Sequence, residues 1–431
     1  MTGPQTGAES SVGPDRVASP DGAASADDTA AGLGELPFTI ADGAGARRFG
    51  VYVHVPYCRV RCGYCDYNTY TSRDLGGAAG MRDYPDHAVA EIELAHKMMR
   101  QAKIPPRPAA TVFFGGGTPT LLGPDGLTRI LGAIRDTWGL TSDAEVTTET
   151  NPDSVSAADL VALAAAGFTR VSVGMQSGVD HVLATLERTH KPSNVSTVVA
   201  AARAAGLATS VDLIYGTPGE TMADWCTSLE AALALNLDHI SAYALSIKGG
   251  TRLARRVARG ELPGVDDDDL AAKYERTDQV FTSAGLNWYE ISNWARPGHE
   301  SRHNLGYWTG ADWWGIGPGA HSGFGSATPG GGIRFWNVKH PRKYAQRLQA
   351  GNSPAAEWEY PDQAATLLEQ VMLGIRLPQG LDLAVLPDQG RRHLAGLIAD
   401  GLLDGRAALN GRAALTLRGR LLADTVVRDL T

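Results

Sequence analysis

Cys58, Cys62 and Cys65 stand in the spacing CxxxCxxC, directly after the β-branched run Tyr52-Val53-His54-Val55. Three thiolates on one short loop can hold three irons of a cubane cluster, whose full protection takes four cysteines. The fourth iron of such a site is open to another molecule. Two other chemistries fit the same residues. A zinc ion could take the three sulfurs with His54 or Asp66 as fourth ligand, but structural zinc usually draws on two spaced CxxC-type pairs, and the sequence holds no second pair. A disulfide would leave one thiol over and needs an oxidising compartment that nothing in the sequence signals. Cys226, the remaining cysteine, lies in a helical pattern beginning at Met222 and is expected to be a small buried hydrophobe.

A second motif, Gly115-Gly116-Gly117-Thr118-Pro119-Thr120, lies fifty residues past Cys65. Glycines let a backbone approach a ligand closely and offer it bare N–H and C=O groups. Alone, such a run reads equally well as a turn. Further candidates are Glu149-Thr150-Asn151-Pro152, Gln176-Ser177, Arg188, Asp212 and Tyr243-Ala244-Leu245-Ser246.

The elements that must position these residues follow from the pattern. Strand-like runs at Phe49–Val55, Ala110–Phe114, Glu145–Glu149, Arg170–Met175, Ala208–Tyr215 and His239–Ser246 alternate with amphipathic stretches at Asp83–Ala102, Pro124–Trp138, Ser156–Ala166, Ser193–Ala205, Met222–Asn236 and Asp266–Ala284. The last opens with four aspartates, which favour a helix N-terminus. Strand–helix alternation implies parallel pairing through right-handed crossovers. Six units make an α/β fold, an incomplete parallel (β/α)6 barrel spanning residues 46–290. In parallel barrels functional groups gather at the C-terminal strand ends, and every motif above falls at one.

CxxxCxxC with GGGTP on the next strand resembles the radical S-adenosylmethionine (SAM) superfamily. Tyr52, the HxP step at His54-Val55-Pro56, Met175-Gln176-Ser177, Arg188-Thr189-His190 and Asp212-Leu-Ile-Tyr-Gly216 narrow the resemblance to its coproporphyrinogen dehydrogenase (HemN) and HemW branch, from about Phe49 to the C-terminus. The resemblance implies a [4Fe–4S] cluster on Cys58, Cys62 and Cys65. It implies SAM around Tyr52, Tyr64, Gly115, Gly116, Thr118, Glu149, Gln176, Arg188, Asp212 and Ala244. Within that set, Arg188 suits the methionine carboxylate; Glu149, Gln176 and Asp212 suit ribose hydroxyls or the ammonium.

Two features choose within the branch. HemN-type dehydrogenases usually continue as CxxxCxxCxC, but Tyr67 stands at the last position here. His303-Asn304-Leu305-Gly306-Tyr307-Trp308 fits the HNxxYW signature of HemW heme chaperones. That family implies heme as cargo at His303, Asn304, Tyr307 and Trp308, since imidazole can ligate heme iron and the rings can stack on a macrocycle. Implied partners are heme-acceptor proteins such as respiratory enzymes, with a heme donor, peripheral membrane contact through acceptors and a homodimer also compatible. The alternative within the branch is an oxygen-independent coproporphyrinogen III dehydrogenase. Trp313-Trp314-Gly315-Ile316-Gly317-Pro318-Gly319-Ala320-His321 also matches, with His321 expected to be buried and hydrogen-bonded.

Composition sets the outer limits. The 431 residues suit roughly two to three domains. Net charge is −8, about half of it from the segment 1–49, and the nearly balanced remainder argues against a nucleic-acid partner. No apolar run approaches the ~20 residues needed to span a bilayer, no secretory signal opens the chain, and clustered thiols suit the cytoplasm. Residues 1–45 are expected to be a disordered tail, having too little apolar surface to offset ordering entropy. Residues 291–355 read as the HNxxYW region and linker, and 356–431 as a mainly helical, winged-helix-like domain. In that domain Gly401–Gly405 is expected to pair with Ala413–Leu417, closed by a helix at Gly419–Asp429.

Overall fold

The computed structural model describes residues 24–25, 33–75 and 79–431. Six strands, β2 (Phe49–Val55), β3 (Ala109–Gly116), β4 (Leu140–Thr150), β5 (Arg170–Gln176), β6 (Ala208–Tyr215) and β7 (His239–Ala244), lie side by side in sequence order. Each neighbouring pair is parallel, with Val51 opposite Val112 and Asp212 opposite Ser241, for example. Between them run α1 (Ala79–Gln101), α2 (Gly123–Trp138), α3 (Ala157–Ala166), α4 (Asp180–Thr185), α5 (Pro192–Ala204) and α6 (Met222–Ala234). After β7 come α7 (Arg252–Ala258) and α8 (Asp267–Ser283). This is the α/β architecture that the alternation implies, with strand starts matching the expected runs closely except in β4, which begins at Leu140 rather than Glu145.

Helix boundaries follow local chemistry. Ser156 with Asp159, and Thr221 with Asp224, form reciprocal capping boxes. The aspartate run opens α8 as expected: the Asp266 carboxylate accepts from Asp268 and Asp269 backbone N–H groups at 2.9 and 3.1 Å.

The sheet extends beyond the six units. β10 (Asp312–Ile316) returns to pair in parallel with β2, Trp314 opposite Val51. The antiparallel strands β11 (His321–Phe324), β12 (Ile333–Asn337) and β13 (Ala355–Glu359) continue outward, with the two-residue β1 (Ala24–Ser25) at that edge. At the other edge β9 (Asn293–Ala295) pairs antiparallel with β7 and carries β8 (Asn287–Glu290). The span 291–355 is therefore woven into the barrel sheet rather than serving as a linker. Its apolar strands Trp314, Ile316, Phe324 and Phe335 join the main core.

The expected tail also ends earlier than residue 45. Leu33, Leu36, Ile40 and Ala44 are buried in the main core. A charged anchor holds this segment: Asp312, fully buried, receives Arg47 at 2.9 Å and Arg107 at 2.7 Å, and Arg107 donates to the Ala44 carbonyl at 2.8 Å. Apart from β1, the rest of that segment lies outside the described residues.

The C-terminal region has its own core, built on Val371, Leu397, Val426 and Leu430. Its first two helices are Gln363–Gly374 and Asp388–Ala399. The pairing differs. Leu381–Asp382 pairs with Arg412–Ala413, leaving a single bridge from Leu403 to Leu415 in place of the expected hairpin. Gly380 permits this, because a Cβ there would sit 2.0 Å from the Ala413 carbonyl oxygen. The closing helix is broken into Leu417–Leu421 and Ala423–Leu430.

Candidate cofactor site and the lower end of the barrel

The cysteine loop leaves the C-terminal end of β2 and folds back on itself. The Cys58 N–H donates to the Tyr70 carbonyl at 3.0 Å, and the Tyr70 N–H to the Pro56 carbonyl at 2.7 Å. Cys58, Cys62 and Cys65 are all reduced and partly accessible. Burial pushes the Cys58 thiol up to about 12, with Cys65 and Cys62 adding to the rise and the Thr118 and Thr69 hydroxyls opposing it. Burial also raises Cys65. Three soft donors, of which Cys58 and Cys65 are costly to ionise, suit a polycation, because a metal group supplies the missing positive charge and drives the protons off. A cubane spreads its ligands over several irons; among the described residues, no three His, Cys, Asp or Glu side chains close on a single ion. His54 is committed elsewhere: Nδ1 meets the Tyr52 hydroxyl at 3.1 Å and Nε2 the Asn68 carbonyl at 3.0 Å. That leaves neither ring nitrogen for the zinc ligand role considered above.

The glycine run lies beside this loop. Gly117 N–H donates to the Val55 carbonyl and Thr118 N–H to the Tyr57 carbonyl, both at 2.8 Å. Packing within the protein itself requires glycine here. A Cβ on Gly116, where φ is +107°, would lie 2.6 Å from the His54 ring, and one on Gly117 2.5 Å from the Tyr57 carbonyl oxygen. Glycine thus lets the cysteine loop close against β3.

Arg188 is the junction of the site. It donates to Cys62 Sγ at 3.5 Å, Asn151 Oδ1 at 2.7 Å and the Gly174 carbonyl at 2.9 Å, and its buried Nε has no hydrogen-bond partner. Tyr64 lies against both Cys62 and Arg188. Asn151 in turn donates to Thr118 Oγ1 at 3.1 Å. Asn151 thus ties three strand ends together, a role that its place in Glu149-Thr-Asn-Pro hints at but that was not assigned from the sequence. Glu149 accepts from Gly116 N–H at 3.1 Å. Gln176 holds a left-handed φ of +63° where β5 slips register against β6, a strained geometry of the kind found at functional sites. Asp212 accepts from Ser172 Oγ at 3.0 and 3.1 Å; burial raises it to about 6, against the lowering effect of the Ser241 and Ser172 hydroxyls. Ala244 ends β7 opposite Tyr215. The ten residues expected around SAM and the three cysteines thus come from the upper half of one lumen.

His303 is elsewhere. It belongs to α9 (Arg302–Trp308), which closes the N-terminal ends of the strands. Glu145, opposite Thr111 in the middle of β4, accepts from the Arg302 and His303 backbone N–H groups, both at 3.1 Å. His303 is buried, its Nδ1 bound to Thr111 Oγ1 at 2.8 Å and its Nε2 to the Tyr307 hydroxyl at 2.9 Å. Burial pushes the imidazole down to about 3, so it is neutral. An open imidazole is therefore not what this arrangement shows. Tyr307 packs edge-on against His303 and Trp313, at 5.1 and 5.0 Å, and Asn304 and Trp308 are half-buried on the same helix. Two side expectations shift. His321 is half-buried and stacks on Trp336 at 5.4 Å, and Cys226 is half-buried instead of fully enclosed.

A parallel barrel with a three-cysteine loop after its first strand and a glycine run on its second defines a radical SAM protein. The Radical SAM superfamily model matches residues 52–232. The heme chaperone HemW of Mycobacterium tuberculosis (strain H37Rv) is 49% identical over 387 residues, covering 89% of this chain and 94% of that protein. The mitochondrial radical S-adenosyl methionine domain-containing protein 1 of Bos taurus is 38% identical over 341 residues, 78% and 75% of the two chains. The solved structure of coproporphyrinogen III oxidase (HemN) from Escherichia coli, a radical SAM enzyme, shares the fold, with a TM-score of 0.76 over 91% of this chain and 92% of that one at 22% identity. The chain belongs to the HemW family of the radical SAM superfamily.

Proposed function

We propose that this protein is a cytoplasmic heme chaperone that binds a [4Fe–4S] cluster, SAM and heme, and delivers heme to apo-hemoproteins such as respiratory enzymes. The observation that carries the reading is the pairing of two distinct sites on one barrel, in a chain 49% identical to a HemW heme chaperone. Above, Cys62 meets Arg188 and Cys58 meets Thr118 of the glycine run; below, the HNxxYW helix closes the strand starts.

In this reading Cys58, Cys62 and Cys65 hold the cluster. SAM lies among Tyr52, Tyr64, Gly115, Gly116, Thr118, Glu149, Gln176, Arg188, Asp212 and Ala244. Arg188 has an unpartnered buried Nε and offers charge-assisted hydrogen bonds to a carboxylate. Asp212 and Glu149 present carboxylate oxygens to hydroxyl or ammonium donors. When bound, the cluster supplies an electron to SAM, and the protein's part is position and exclusion of water.

Heme is held at His303, Asn304, Tyr307 and Trp308. The Tyr307 hydroxyl occupies His303 Nε2, so heme iron takes that nitrogen when Tyr307 turns away. Thr111 keeps Nδ1 and so fixes the ring, as outer partners of ligating histidines generally do. Among the described residues no helix is long and apolar enough to cross a membrane.

The test is heme transfer. Anaerobically reconstituted, heme-loaded protein is mixed with an apo-hemoprotein, and the acceptor's absorption and activity are followed. Faster acquisition of heme than from the same concentration of free heme supports the chaperone. Transfer no faster than from free heme, together with turnover of coproporphyrinogen III under reducing conditions, would replace it with the dehydrogenase.

A further inference from the structure

A shallow cleft opens to solvent at the lower mouth of the barrel, between the strand starts and α9. Its walls include Gly50 and Thr111 from the barrel, His303 and Tyr307 from α9, and Trp313 from β10, with Arg48 at the rim. The inner wall is aromatic and backbone-lined. Gly50 keeps it open: a Cβ there would meet Thr111 Oγ1 at 2.8 Å and His303 Nδ1 at 3.5 Å.

The charge at the mouth is positive and uncommitted. Side chains alternate along a strand, so Arg48, two residues before Gly50, continues the face that carries Gly50 and Tyr52. Arg48 is exposed, and among the described residues it makes no ion pair or side-chain hydrogen bond. Its neighbours are spent: Arg47 and Arg107 on Asp312, and Arg302 on Asp143 at 2.7 Å. The buried acid nearest the mouth, Asp312, is thus already neutralised.

We propose that this cleft seats the carboxylate-bearing edge of a porphyrin and that Arg48 binds a propionate there. The inference rests on the heme-chaperone reading and assigns the polarity of the bound macrocycle: its propionate side lies at the mouth against Arg48, and its iron reaches His303 Nε2 only once Tyr307 has turned away and opened the cleft. Planar guanidinium groups match carboxylates bidentately, and such contacts to charged groups are worth about tenfold or more in affinity.

The test compares two probes on the full, reconstituted chain: hemin, and hemin with both propionates esterified as methyl esters. Arg48→Gln, at an exposed position, is expected to bind hemin about tenfold more weakly and the diester as the parent protein does, with Arg48→Lys recovering part of the loss. Equal weakening for both probes, or no change for either, would overturn the assignment of Arg48 while leaving the chaperone intact. Failure of the parent protein to bind either probe saturably would overturn the functional reading, and the cleft assignment with it.

Discussion

The rings of Tyr52 and His303 lie 6.4 Å apart and 29° from parallel. Phe113 stacks against both, at 6.3 Å from Tyr52 and 5.2 Å from His303. Tyr52 belongs to the set proposed for SAM and His303 to the set proposed for heme. The upper site and the lower plug therefore share one aromatic stack through the lumen, and the geometry of each constrains the other.

Gly50 guards the lower half of that stack. Gly50→Ala places a methyl 2.8 Å from Thr111 Oγ1, the partner of His303 Nδ1, and 3.5 Å from that nitrogen. Overpacking of this kind costs about 1–3 kcal/mol, so the melting temperature should drop by several degrees and heme binding should weaken with it. A variant with unchanged melting and unchanged heme affinity would show that His303 does not sit against Gly50.

Tyr307 competes with iron for His303 Nε2. Tyr307→Phe keeps the ring against Trp313 but deletes the hydroxyl that meets Nε2 at 2.9 Å. Losing one hydrogen bond of about 1 kcal/mol in the free protein should tighten heme several-fold, seen as faster association by stopped-flow absorption. Weaker binding in Tyr307→Phe would mean instead that the hydroxyl contacts heme.

Lys273 is fully buried between Glu220 at 3.2 Å and Asp269 at 2.7 Å. Glu220 also accepts from Gly216 N–H at 2.7 Å, which fixes the loop after β6 beside Asp212. Lys273→Ala leaves a carboxylate buried and unpaired, a change that typically costs 3–5 kcal/mol. The double variant Lys273→Met/Glu220→Gln should recover most of that in urea unfolding. Similar losses in both would place the effect in packing, not charge.

Glu290 is buried, and burial raises its carboxyl to about 8, with the Ser292 backbone hydrogen bond opposing the rise. A carboxyl whose folded value lies above its unfolded one binds its proton more tightly when folded. Its contribution is present below about pH 4.5 and is lost as pH rises toward 8. Glu290→Gln stays neutral throughout. Its stability relative to the parent should therefore increase between pH 5 and pH 8, by about 3–4 kcal/mol. A difference that does not change with pH would mean that Glu290 is ionised in the fold.

The barrel was legible because its signals are local. Phe49–Val55 and Ala208–Tyr215 read as strands from their β-branched content, and the two capping boxes and the aspartate run mark helix starts by chemistry that needs no distant partner. The cysteine spacing likewise carries its meaning within eight residues. What stayed hidden depends on long-range pairing. Nothing near Asp312 says that β10 lies parallel to β2, and nothing near Leu33 says that a Gly- and Ala-rich segment docks on the core. The purpose of Gly116 and Gly117 also needed coordinates, since the atoms that exclude a side chain there belong to His54 and Tyr57. His303 is the sharpest case: its motif was plain in the sequence, but its place among Thr111, Glu145 and Tyr307 follows only from the closure of the barrel.

The most direct measurement is an anaerobic heme titration of the reconstituted protein beside His303→Ala, followed by absorption. The account predicts saturable, one-to-one binding by the parent protein, with a histidine-ligated spectrum that disappears in the variant. Saturable binding with the same spectrum and affinity in His303→Ala would contradict it, removing His303 from the heme site and leaving the HNxxYW helix as a plug alone.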